Sequence, residues 1–194
     1  MVLKASKKHT ATLIFLHGLG DTGMGWAGAL NSIKPDYLKV LVTEAVLWVG
    51  GLNCKVQVVC PTAPMLPVTL NGGMKMPAWY DIRSLEESDP DREDMQGVDW
   101  AVELLHSLVA GEQLPSHRVM LGGFSQGGAV SLRAALTTPH PLAGCIALSC
   151  YLPGDSASYT NPASTPVFQA GNQSKQQVLD VYCVGRRTGS RTAW

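Results

Sequence analysis

The chain has 194 residues, 45% of them hydrophobic, with 15 basic and 15 acidic side chains and a formal net charge of zero. That length suits one domain with a substantial buried core and is short for two, so residues 1–194 read as a single domain. Zero net charge argues against a nucleic-acid partner held by bulk electrostatics, and the acidic stretch from Glu86 to Asp94 reads as a solvated loop.

Met1 to Lys8 carries no apolar segment of the secretory-signal kind. The longest apolar run, Val40 to Leu52, is too short and too interrupted to span a bilayer. Cys54, Cys60, Cys145, Cys150 and Cys183 form no C-x-x-C pair and are odd in number, so reduced thiols and a cytoplasmic location are expected. Cys145 and Cys150 are expected on opposite faces of one strand, as poor partners for a disulfide.

In chain order, Thr10 to Leu16 is a strand-forming apolar run, stopped by the loop chemistry of His17-Gly18-Leu19-Gly20-Asp21-Thr22-Gly23. A short helix is expected over Trp26 to Ile33, closed by Pro35, and a buried strand over Val56 to Cys60. The next segment, Pro61 to Tyr80, holds four prolines and two glycines and reads as irregular. Val98, Val102, Leu105 and Val109 recur at helical spacing within Asp91 to Val109. Arg118 to Gly122 reads as a strand, Gln126 to Thr138 as a helix, Leu142 to Ser149 as a strand, and a further strand begins at Pro166 to Ala170. Short strands, apolar on both faces and alternating with helices, imply an α/β fold with a mainly parallel sheet covered by helices. Such sheets place their chemistry beyond the carboxyl ends of the strands.

Gly123-Phe124-Ser125-Gln126-Gly127 matches G-x-S-x-G, between an expected strand and an expected helix. That context distinguishes a nucleophile elbow from any Gly-rich strand-to-helix turn. The serine must occupy a strained turn, and flanking glycines keep neighbouring backbone clear of it. The helix start directs free N–H groups toward a developing oxyanion. The His17-Gly18-Leu19-Gly20 loop follows the first strand, where the second oxyanion donor is built. Ser125 is thus the expected nucleophile, and the backbone amides of Leu19 and Gln126 the expected donors.

These blocks, with Trp26, Cys60-Pro61-Thr62-Ala63-Pro64, Met76-Pro77-Ala78-Trp79-Tyr80-Asp81 and Leu148-Ser149-Cys150-Tyr151-Leu152-Pro153, are similar in text and order to the acyl-protein thioesterase and carboxylesterase/lysophospholipase family of α/β hydrolases. The resemblance runs from about residue 10 to 169, leaving 170–194 as a divergent tail. It implies an α/β-hydrolase fold and hydrolysis of acyl thioesters on palmitoylated proteins, or of lysophospholipid and simple carboxyl esters. No cofactor or metal is implied, and the partners are S-acylated proteins or acyl-ester lipids. Trp79 would border the acyl-binding groove; a core aromatic is the other reading.

The chain departs from the family pattern twice. Val40 to Lys55 adds a strand-like run before the expected Val56 strand, readable as a surface loop, an exposed patch or an exon-boundary artefact. After Gln169 the family's acid loop and Gly-x-x-His loop are not found, so the sheet is expected to lack its C-terminal strands and to be poorly soluble. Asp155 and Asp180 qualify as acids by order alone. His140, the one histidine after Ser125, is carried by about twelve helical residues ~18 Å toward the far edge of the sheet. His106 and His117 are expected far from the strand ends, and His9 in the N-terminal lead. His17 lies at the correct edge, either supporting the oxyanion loop or acting as a base. A serine hydroxyl without a base is a poor nucleophile, so a catalytically impaired variant that only binds acyl groups is the alternative expectation.

Overall fold

The computed structural model describes residues 9–32, 46–51, 54–86, 89, 91–154, 159 and 163–170. Its elements are β1 (Ala11–Leu16), α1 (Gly23–Ser32), β2 (Val46–Gly51), β3 (Cys54–Val59), β4 (Met65–Val68), β5 (Met74–Pro77), α2 (Met95–Ala110), β6 (Val119–Phe124), α3 (Gln126–Thr137), β7 (Gly144–Leu148) and β8 (Val167–Ala170). Six strands form one sheet in the order β2-β3-β1-β6-β7-β8, parallel except for the antiparallel β2–β3 pair. The mainly parallel α/β-hydrolase sheet expected from the sequence is therefore present.

Helices pack on both faces of the sheet and bury much of its central strands. On one face Ile14, Leu16, Val119 and Leu121 pack with Val98, Val102 and Leu105 of α2 and with Val130 and Ala134 of α3. The helical spacing read in the sequence is the buried stripe of α2, although the helix starts at Met95, later than Asp91. The Asp94 side chain caps it by accepting from the Gly97 N–H, which ends the preceding loop. On the other face Phe15, Val58 and Cys60 pack against Ala27 of α1, with Trp26 and Leu30 alongside. α1 itself begins at Gly23, three residues before the expected start.

Two further elements differ from the sequence reading. Within Pro61 to Tyr80, β4 and β5 form an antiparallel hairpin, with Gly72 and Gly73 at positive φ in the turn. Its prolines argued against strands, but a two-stranded ribbon tolerates proline because few of its N–H groups are needed by a neighbour. The extra run before β3 contributes β2, which pairs antiparallel with β3 from Val46↔Val59 to Gly51↔Cys54. Residues 40–45, 52, 53 and 171–194, and with them part of the extra run, nearly all of the divergent tail, Asp155 and Asp180, lie outside the described residues.

Cys60, Cys145 and Cys150 are buried free thiols. Cys150 lies beyond the end of β7 rather than on it, so the opposite-face argument does not apply to that pair.

Register places Phe15, Phe124, Ile146, Leu148 and Phe168 on one face of the sheet. α1 covers the β3–β1 half of that face, whereas Phe124 is 36% and Phe168 is 54% exposed. The Trp26 ring of α1 reaches Phe124 at 5.3 Å without burying it, and exposed aromatic surface on a sheet face favours self-association. The native protein is expected to bind a hydrophobic dye and to associate as its concentration rises, with both effects reduced in Phe168→Ser. Light scattering and dye fluorescence check this; a monodisperse, dye-silent preparation would contradict it.

Candidate active site

Ser125 stands between the last residue of β6 and the first of α3, with φ 51° and ψ −120°. A non-glycine residue in this region is strained by about 1–3 kcal/mol and persists only where its surroundings impose it. Here the Ser125 N–H donates to the Leu148 carbonyl at 2.8 Å, and its carbonyl accepts from the Ala129 N–H at 3.0 Å. The strand and helix flanking the turn nearly touch. A Cβ on Gly123 would stand 2.4 Å from the Gly127 carbonyl, and one on Gly127 would stand 2.4 Å from the His17 carbonyl oxygen. Only glycine fits at these two positions, and the serine between them stays partly exposed.

The loop after β1 closes against this elbow. A Cβ on Gly18 would lie 3.5 Å from the Ser125 Cβ. The Gly20 N–H donates to the Pro77 carbonyl at 2.9 Å, which ties the loop to the β4–β5 hairpin. As the first residue of α3, Gln126 has no carbonyl within the helix for its own N–H. The two segments carrying the expected oxyanion amides, Leu19 and Gln126, therefore flank the serine.

His17 is fully buried, and its tautomer follows from its partners. Nε2 accepts from the Ala63 N–H at 2.9 Å, so the proton sits on Nδ1, which donates to the Gly18 carbonyl at 2.7 Å. Burial holds this imidazole below its ordinary 6.5, outweighing the upward pull of Gly18 and Asp21. With both nitrogens committed to backbone, the ring supports the loop and is unavailable as a base.

Of the two readings of Trp79, its 1% exposure favours the core aromatic. Its indole N–H donates to the His17 carbonyl at 2.8 Å, and its centroid lies 5.1 Å from that of His17. Its backbone N–H donates to Gln126 Oε1 at 2.8 Å, while Gln126 Nε2 donates to the Tyr80 carbonyl at 2.7 Å. The sequence reading used Gln126 for its amide and missed its side chain. The available signal was a polar side chain at the crowded start of a buried helix, where only full hydrogen bonding makes burial tolerable.

The remaining histidines are not brought to the serine. His140 is exposed beyond the end of α3, before β7 begins. His106 Nε2 lies 3.0 Å from the Ala134 carbonyl at the α2–α3 contact, His117 is exposed just before β6, and His9, before β1, pairs with Glu112 at 3.2 Å. Among the described residues no cluster of three or more His, Cys, Asp or Glu side chains could hold a metal, and no helix is long and apolar enough to cross a membrane.

A serine at positive φ between a parallel strand and a helix, faced by a loop from the neighbouring strand, defines the chain as an α/β-hydrolase fold. The chain belongs to the phospholipase/carboxylesterase family, whose model matches residues 1–54 and 45–181. The two matched segments overlap across the extra run, and the second reaches past the last block read from the sequence. The chain is 44% identical over 156 residues to acyl-protein thioesterase 1 of Schizosaccharomyces pombe, covering 79% of this chain and 61% of that protein. It spans about three-fifths of the length of the curated relatives it matches. Among solved structures, SOBER1 of Arabidopsis thaliana aligns with a TM-score of 0.65 and 27% identity over 82% of this chain and 72% of that one. Acyl-protein thioesterase 2 of Zea mays aligns with a TM-score of 0.62 and 26% identity, over 86% and 72% of the respective chains.

Two outcomes follow from this geometry. Gly123→Ala should cost about 3 kcal/mol, because the new methyl meets backbone that cannot rotate away; urea denaturation measures it. For His17, a folded-state value below the unfolded one means that the unfolded chain takes up the proton first as pH falls. The contribution is complete above pH 6.5 and is lost as pH falls from there through the folded value, by at most about 1.4 kcal/mol per pH unit. Urea titrations on either side of that pH should show the slope in the wild type and its loss in His17→Asn.

Proposed function

We propose that this chain is a serine hydrolase acting on acyl thioesters of palmitoylated proteins, and on related carboxyl and lysophospholipid esters. The observation that carries the reading is the backbone of Ser125. Ser149 and Ser164 share its positive φ, but of the three Ser125 is the one set between a parallel strand and a helix, with the loop after β1 packed against it. The thioesterase names of the 44%-identical relative and the maize structure favour acylated proteins as the substrate class.

The reaction proposed is acyl transfer. Ser125 Oγ attacks the thioester carbonyl, and its oxygen takes up negative charge between the amides of Leu19 and Gln126. The tetrahedral adduct breaks its C–S bond and expels the cysteine thiolate, which takes up the proton lost from Ser125 Oγ; water then cleaves the acyl–Oγ bond of the acyl-serine, releasing the fatty acid and restoring the serine hydroxyl. The helix start behind Gln126 adds a favourable dipole at the same point. A cytoplasmic setting and a single domain over 1–194 belong to the same reading.

A second reading rests on the histidines. His17 is committed to backbone on both nitrogens, and the other four lie elsewhere in the fold. With no histidine beside Ser125 to act as its base, the chain would bind acyl groups and turn them over slowly, on oxyanion stabilisation alone.

An alkyl fluorophosphonate separates the two. On the hydrolase reading the native protein is labelled at Ser125, and heat denaturation or Ser125→Ala removes the label. Native protein labelled no faster than denatured protein leaves the impaired reading.

A further inference from the structure

The proposed donors Leu19 and Gln126 sit on different elements, the β1–α1 loop and the start of α3. An oxyanion is stabilised only if both amides hold one spacing, since donors must stand within about 2.7–3.1 Å of the same atom. The pairing of β1 with β6 and the close approach of Gly127 to His17 bring the two elements together, but they do not by themselves fix the spacing of the amides. Among the hydrogen bonds of the described residues, those of Trp79 reach both elements. The Trp79 indole N–H holds the His17 carbonyl at 2.8 Å, two residues before Leu19. Its backbone N–H holds Gln126 Oε1 at 2.8 Å, on the residue whose amide is the second donor. The far ends are fixed as well: Gln126 Nε2 donates to the Tyr80 carbonyl at 2.7 Å, and the His17 ring is held between Ala63 and Gly18. Trp79, His17 and Gln126 are all buried, so these bonds are shielded from water.

We propose that Trp79 is a positioning residue that couples the two oxyanion amides, bracing the Leu19 loop through its indole N–H and the Gln126 helix start through its backbone N–H. The inference rests on the hydrolase reading above for the role of the amides, but the coupling itself is a property of the fold. Trp79→Phe keeps a buried aromatic ring and the backbone bond to Gln126 while deleting the bond to His17. Gln126→Met keeps the amide at 126 and deletes both side-chain bonds. Ser131→Ala, which removes a buried hydrogen bond from α3 to the Gly122 carbonyl of β6, controls for lost stability.

The test measures fluorophosphonate labelling of Ser125 as a function of probe concentration, alongside amide nitrogen–proton NMR spectra of the full chain. In Trp79→Phe the limiting rate of labelling should fall about 10-fold, part of the 10²–10³-fold lost when a donor is removed outright, with the half-saturating probe concentration unchanged. Gln126→Met should do the same, which keeps the test decisive if Trp79→Phe does not fold. Ser131→Ala should leave the limiting rate unaltered at a comparable melting temperature. In the NMR spectrum of Trp79→Phe, the Leu19 and Gln126 amide signals should both move, although the deleted bond reaches only His17. If Ser125 is not labelled in the wild type, the hydrolase reading fails, and the spectra alone decide the coupling. A shift confined to residues 16–20, or a limiting rate equal to the wild type in a folded variant, overturns the proposal.

Discussion

The site depends on one backbone constraint, the strained positive-φ conformation of Ser125 where β6 hands over to α3. That conformation costs energy locally and is imposed by what lies on either side. Leu148 of the neighbouring strand fixes the serine amide, and Ala129 in the first turn of the helix fixes its carbonyl. Gly123 and Gly127 allow strand, helix and the loop after β1 to meet at backbone separation. The helix can therefore start directly behind the nucleophile, and the loop can stand directly before it.

Around this point the polar groups are placed as carefully as the apolar ones. His17, Trp79 and Gln126 are buried side chains with every described donor matched to a carbonyl, an amide oxygen or a ring nitrogen. Burying such groups unpaired would cost more than the apolar contact returns, so the network is complete or it is a liability. It links three stretches distant in sequence: the end of β1, the segment after β5 and the start of α3. Small displacements in any of them are thus transmitted to the others through short, directional bonds.

Much of this was legible in the sequence because it is local. G-x-S-x-G names both its serine and its turn, and the apolar spacing of Val98, Val102 and Leu105 identified the stripe that α2 buries. The strand alternation was enough for the sheet class. What escaped was either non-local or disguised. The β4–β5 hairpin was hidden by Pro67 and Pro77, whose penalty applies to central strands and hardly at all to a two-stranded ribbon. The inward placement of Trp79 and the work done by the Gln126 side chain depend on pairings 46 to 62 residues apart in the chain, such as Trp79 with His17 and Gln126 with Tyr80, which no spacing rule encodes. His17 could be narrowed from two roles to one only when Ala63, far along the chain, was seen to occupy its second nitrogen.

The three described thiols have a consequence of a different kind. Each belongs to a different packed cluster: Cys60 under α1, Cys145 between the sheet and the α2–α3 layer, and Cys150 with Ala129 and Leu152 behind the elbow. Burial pushes Cys60 and Cys150 up to about 12 and Cys145 higher still, so none is a reactive thiolate while its surroundings stay closed. Each sulfur is therefore a built-in clock for its own cluster. The rate at which it becomes alkylated measures how often that part of the interior opens, and the three rates together would tell whether the protein breathes layer by layer or all at once.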